Sequence, residues 1–141
     1  MVKLYAFALL MISGFDIKLE YEKYLDKQFI CNPDNYILLD LEFISNDIDK
    51  TSSYIKETID YNIIDYNQLA KEVVKNMKIC YETMAFNDFI SKTYLLWQSL
   101  PYELAHNEPF YELRFADDPY SYGVNVESKQ IIEDILDFYN H

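Results

Sequence analysis

The spacing of hydrophobic residues along the chain is mainly that of amphipathic helices. Apolar side chains recur every three or four residues over 68–84, over 87–100, which Pro101 ends, and over 128–139. Residues at this spacing share one face of a helix and can pack together on a core. Asn67 and Ser128 are placed to cap the first and the last of these segments. The segment 47–59 repeats the pattern with acidic residues in its first turn, so we expect helices in all four stretches.

The first 45 residues are ambiguous between helices and strands. Leu4–Ile12 is a nine-residue apolar run, which predicts a buried helix or strand. It also resembles a short signal peptide, but a single lysine precedes it, no A-x-A pattern follows it, and it is too short to span a bilayer. Positions 17–29 fit a helical face capped by Asp16 better than they fit a strand. The run 36–44 fits both, and we favour a helix.

Residues 102–126 are rich in turn-forming residues. The short segments 112–115 and 122–126 flank an Asp-Asp-Pro turn, and they are compatible with a β-hairpin near residues 111–126 or with extended loop. The chain has only two glycines, which disfavours folds that need many tight turns. A length of 141 residues suits one domain, and no linker or internal repeat divides it. We expect a mainly α, single-domain bundle of five or six helices over residues 1–141, and either the hairpin or the extended loop is compatible with that bundle.

The chain is strongly acidic, with 24 Asp and Glu residues against 12 Lys and Arg residues and a net charge of −12. Such a field repels nucleic acids and anionic membranes and attracts cationic proteins. We therefore expect no direct binding to nucleic acid or membrane and a basic protein as partner, although acidity also keeps an aromatic-rich cytoplasmic protein in solution. Lys71, Lys75 and Lys78 are expected to form a solvated helix face. Cys31 and Cys80 lack disulfide or metal-site spacing, so both are expected to be reduced in a cytoplasmic protein.

The parts of the common catalytic sites are missing. The only glycines of the chain are at positions 14 and 123, so the usual glycine-rich phosphate-binding motifs cannot occur. Of the two histidines, His106 has no patterned nucleophile near it and His141 is the last residue of the sequence. Asp117 and Asp118 are the best carboxylate pair for a hydrolase, but adjacent acids before proline are more typical of a turn, and they lack the calcium-loop pattern. We expect no enzymatic activity, no cofactor and no metal.

A segment that alternates tyrosine with acid remains as a candidate recognition surface. Tyrosine is a rigid amphipathic group that is common in interface hot spots, and carboxylates beside it can pair with lysine or arginine. The expected partner-binding residues are Glu108, Tyr111, Glu112, Asp117, Asp118, Tyr120 and Tyr122, and Tyr102 and Glu103 belong to the same alternation. The alternative is that several of these tyrosines pack the interior.

The C-terminal part of the chain contains the pattern Phe89-x-x-x-x-Tyr94-Leu95-Leu96-Trp97, followed by a polar connection, an acidic and tyrosine-bearing stretch and a closing amphipathic helix. This arrangement resembles colicin-D-type and related bacterial toxin-immunity proteins. The resemblance covers about 60 of the 141 residues, and residues 1–65 have no counterpart. It implies an acidic helical bundle that blocks a basic nuclease toxin, with Glu112, Asp117, Asp118 and nearby tyrosines over the toxin's active site. A nucleic-acid mimic that inhibits a defence enzyme and a carboxylate-dependent hydrolase are the alternatives.

Overall fold

The computed structural model describes residues 1–140, and that range is helical with no strand. The elements are α1 (Val2–Ile12), α2 (Lys18–Cys31), α3 (Tyr36–Phe43), α4 (Ile48–Thr58), α5 (Tyr66–Thr83), α6 (Phe86–Ile90), α7 (Thr93–Ser99), α8 (Tyr102–Ala105), a 3-10 helix (Phe110–Arg114), α9 (Asp118–Ser121) and α10 (Asn125–Asp137). The mainly α prediction is confirmed. The helix count exceeds the expected five or six, because short helices of four to seven residues fill the chain between α5 and α10.

The central element is α1. Every residue from Leu4 to Met11 is buried, so the helix has no solvent-facing side over this span. A helix that is apolar all round belongs in a core, and α1 packs mainly against α4 and α5. The apolar run near the start of the chain is therefore a buried helix and not a strand. Within residues 1–140, no helix combines the length and the apolarity that crossing a bilayer requires.

Polar side chains cap the starts of several helices, but not always at the residues that the sequence predicted. The side chains of Asn35, Asp47 and Asp65 accept hydrogen bonds from backbone N–H groups in the first turns of α3, α4 and α5. Helix α5 therefore begins before Asn67, the residue expected to cap it. Asp16 lies one residue before the N-cap position of α2, where no side chain makes a capping bond.

The single helix expected over 87–100 is two helices. A turn at Ser91 and Lys92 separates α6 from α7. At that turn the buried hydroxyl of Thr93 donates a hydrogen bond to the carbonyl of Ile90, 2.9 Å away. A side-chain bond to the carbonyl three residues back competes with the regular helix ladder, and helices often bend at such positions.

The β-hairpin expected near residues 111–126 is wrong. Phe110 and Leu113 are both buried, and their spacing of three residues suits one side of the 3-10 helix. Helix α9 and the start of α10 occupy the rest of the segment. Ser128, expected to cap the last helix, lies three residues inside α10, which begins at Asn125.

Edge-to-face aromatic contacts run through the core and account for much of the aromatic content. The ring of Phe15 contacts Phe89, which contacts Tyr81, with centroids 5.1 and 5.3 Å apart. Tyr81 contacts Phe86, which in turn contacts Tyr120 at 5.9 Å. Each such pair contributes about 0.5–1.5 kcal/mol beyond its buried area. Tyr81 and Tyr120 therefore stabilise the fold, and Tyr120 is the one of these two that belongs to the tyrosine-rich segment.

Candidate acidic interface

The seven residues expected to bind a partner lie on two neighbouring parts of the chain. Glu108, Tyr111 and Glu112 lie just before and within the 3-10 helix. The remaining four, Asp117, Asp118, Tyr120 and Tyr122, lie at or around α9. The structure gives these two groups of residues different environments.

Glu108 and Glu112 line a groove between the 3-10 helix and α10. Asp134 of α10 adds a third carboxylate, and the apolar part of the wall includes Phe138. The groove has a volume of about 130 Å³. It exists because the 3-10 helix packs against α10, an arrangement that brings Asp134 next to residues more than twenty positions earlier in the chain.

A second groove of about 130 Å³ adjoins the first and shares Glu108 with it. Its wall includes Glu103 of α8, Tyr66 of α5 and Tyr139. Burial and the charge of Glu103 raise the pKa of Tyr66, which is the expected effect of a negative potential there. We refer to the two grooves together as the acidic groove; its carboxylates are Glu103, Glu108, Glu112 and Asp134, and among residues 1–140 no lysine, arginine or histidine lines it.

The ring of Tyr111 already makes a cation–π contact with Arg114 of the same chain. The guanidinium carbon of Arg114 lies 4.0 Å from the centroid of the Tyr111 ring, and 5.6 and 5.8 Å from the rings of Trp97 and Phe115. These are cation–π distances. Tyr111 still has 41% of its surface exposed. It can contact a partner with the part of the ring that Arg114 leaves open.

Tyr120 is only half-buried, but its contacts are structural. Its ring packs on Phe86, and its backbone N–H donates a 2.9 Å hydrogen bond to the hydroxyl of Ser128. Ser128 is fully buried and donates in turn to the carbonyl of Ala116 at 2.7 Å. This pair of bonds fastens the start of α9 to α10.

The exposed residues around α9 form a second acidic surface. Asp118 is exposed, Asp117 is half-buried, and Tyr122 is 86% exposed just after the helix. Neither aspartate lines the acidic groove. We call these three residues the α9 surface.

The expected site is thus brought together in part, and one carboxylate of the acidic groove was missed, as were the aromatic residues Tyr66, Phe138 and Tyr139 of its walls. Glu103 belonged to the alternating segment, but Asp134 was not among the candidates. Its only sequence signal is its place on the polar side of the last helix, which does not show what that helix packs against. No group of three or more His, Cys, Asp or Glu residues within 1–140 is arranged to hold a metal ion.

Comparison with known proteins finds no matching protein-family model, no matching curated protein and no matching solved structure. The resemblance to toxin-immunity proteins therefore rests on the residues quoted for it.

Proposed function

We propose that this protein binds a basic protein and blocks it by covering its functional surface, with a bacterial nuclease toxin as the best candidate for that partner. The observation that supports this proposal is the acidic groove, which four carboxylates line and where no basic side chain of the described residues lines the walls. The α9 surface extends the negative charge beyond the groove.

The groove suits a lysine or arginine side chain of a partner. Its volume admits one long side chain at each of its two parts, and Tyr66, Phe138 and Tyr139 can contact the aliphatic portion of such a side chain. The charged end would then meet Glu108, which both parts share. Hydrogen bonds between an ionised donor and an ionised acceptor are the stronger kind in proteins.

A nuclease is a suitable partner because its substrate cleft must attract phosphates. Such clefts carry lysine and arginine side chains, which bind nucleic acid largely through charge. A surface of carboxylates can occupy the same positions, and long-range attraction would speed the encounter. The net charge of −12 acts in the same direction.

The test is a pull-down of the tagged protein from a lysate of its own organism at low and at high salt, with charge-reversed variants. We expect one basic protein to be retained at low salt and released at high salt, because screening weakens exposed charge pairs. Glu108→Lys should weaken binding of the purified partner by at least about tenfold. Asp117→Lys with Asp118→Lys should also weaken binding by at least about tenfold, and unchanged affinity would exclude the α9 surface from the interface.

The matched control is Glu82→Lys, which makes the same charge change at an exposed position outside the acidic groove. Equal losses for Glu82→Lys and Glu108→Lys would mean that only net charge matters and would contradict the groove. Retention of no basic protein at either salt would contradict the proposed function itself.

A further inference from the structure

A pocket between α1, α2 and α5 reverses the sign of charge found over the rest of the molecule. Four lysines line it, namely Lys3, Lys23, Lys27 and Lys75, together with Glu20 and Glu72. Its volume is about 210 Å³. The four lysines and two glutamates give the pocket lining a charge of +2, whereas the net charge of the whole protein is −12. We call it the lysine pocket.

Most of these ammonium groups have no carboxylate partner. Lys23 pairs with Glu20 at 3.8 Å, but among the described residues no carboxylate oxygen lies within 4.0 Å of the ammonium groups of Lys3, Lys27 or Lys75. Glu72 instead accepts a hydrogen bond from the side-chain amide of Gln68. The four lysines are exposed, so in the free protein water hydrates the unpaired ammonium groups, and these groups remain accessible to an anionic ligand.

A side-chain amide adds a neutral donor to the pocket wall. Asn76 of α5 is 4% exposed and lines the pocket. Its amide atoms are not among the buried polar atoms that lack a partner, so the small exposed part of this side chain includes the amide. The amide can therefore donate a hydrogen bond to a ligand in the pocket.

An aromatic wall completes the pocket. The rings of Phe7 and Tyr24 lie 5.7 Å apart and both line it. The ammonium of Lys3 lies 5.8 Å from the centre of the Tyr24 ring. The pocket thus has one polar side and one side suited to a flat or apolar group.

We propose that the lysine pocket binds a small molecule that carries a phosphate monoester. A phosphate monoester has a charge of about −1.5 to −2 at pH 7, which matches the +2 of the lining, whereas a single carboxylate would neutralise half of it. Lysine binds phosphate as a point charge without the planar geometry that arginine requires. The phosphate contacts Lys3, Lys27 and Lys75, the Asn76 amide donates to it, and the organic part lies against Tyr24. The site shares no residue with the acidic groove, so it does not depend on the proposed function.

The test is titration calorimetry with inorganic phosphate, ribose 5-phosphate, adenosine monophosphate and uncharged adenosine. We expect the three phosphates to bind and adenosine not to bind, with adenosine monophosphate binding more tightly than inorganic phosphate because of its ring. No binding of any phosphate at about 10 mM would overturn the proposal. Equal affinity for inorganic phosphate and adenosine monophosphate would overturn the contact with the aromatic wall.

Two variants on the same helix separate a defined pocket from diffuse charge. Lys75→Glu should weaken phosphate binding by about tenfold or more, because it places a negative charge against the ligand. Lys78→Glu makes the same charge change at an exposed position that does not line the pocket, and it should change affinity by less than about twofold. Equal losses for both would overturn the pocket. Asn76→Leu should also weaken phosphate binding, because it removes the amide donor from the pocket wall.

Discussion

Replacing Ser128 with alanine tests the contact that fastens α9 to α10. The Ser128 hydroxyl donates to the Ala116 carbonyl and accepts from the Tyr120 N–H, at 2.7 and 2.9 Å. Both Ser128 and Ala116 are completely buried, so the alanine variant leaves a backbone carbonyl and a backbone N–H without partners. Each unsatisfied buried group costs roughly 1–3 kcal/mol, and we expect a total loss of about 2–4 kcal/mol in the free energy of unfolding. For a chain of this length the melting temperature should fall by about 10 °C.

The measurement is urea unfolding followed by far-ultraviolet circular dichroism, with Ser121→Ala as the matched control. Ser121 lies on α9 itself, and its hydroxyl donates to the Asp117 carbonyl at 3.0 Å, but this side chain is exposed. Water can replace an exposed bond, so the control should lose less than about 0.5 kcal/mol. A loss for Ser128→Ala as small as that of Ser121→Ala, with an unchanged slope against urea, would refute the reasoning.

Three further predictions concern single side chains. Burial raises the pKa of the Cys80 thiol to about 12, so at pH 8 only Cys31 should react with a thiol reagent until the protein is unfolded; two reactive thiols in the native state would contradict this. Burial and neighbouring carboxylates raise the pKa of Glu42 on folding, so its ionised form opposes folding at pH 7 and its protonated form does not. Glu42→Gln should therefore raise the melting temperature at pH 7 and have no effect below about pH 4, and an equal gain at both would count against the shift. Phe89→Ala should cost about 3–5 kcal/mol in urea unfolding because its ring is fully buried, whereas Phe43→Ala, at 93% exposure, should cost less than about 0.5 kcal/mol; similar losses would contradict the burial argument.

Periodicity predicted the long helices well because the residues that each of these helices buries are regularly spaced along its own sequence. The apolar residues of α5 and α10 repeat every three or four positions, and both helices were expected. The errors fall where the local signal is short or shared by two structures. Residues 112–115 offered four positions, too few to distinguish a strand from a 3-10 helix, and Leu113 is buried by the tertiary packing of that helix. The break at Ser91 and Lys92 carries neither proline nor glycine, so no common turn signal marked it.

The candidate site was predictable only as far as it is local in sequence. Glu108 and Glu112 are four residues apart, and the structure places them in one groove. The contribution of Asp134 depends on how α10 packs, and a single sequence does not encode that contact in any local pattern. The role of Tyr120 was hidden for the same reason, since its partner Phe86 lies 34 residues earlier.

On the ribosome, α1 is completed long before the helices that cover it. Tyr66, the first residue of α5, follows Ile12, the last residue of α1, by 54 positions. At roughly 5–20 residues per second, synthesis of that interval takes about 3–10 seconds. During this time α4 is synthesised, but the apolar side chains of α1 still lack α5, the other of their two main partners. Exposed apolar surface of this kind favours aggregation. The part of the core around α1 is therefore completed only after α5 has been synthesised.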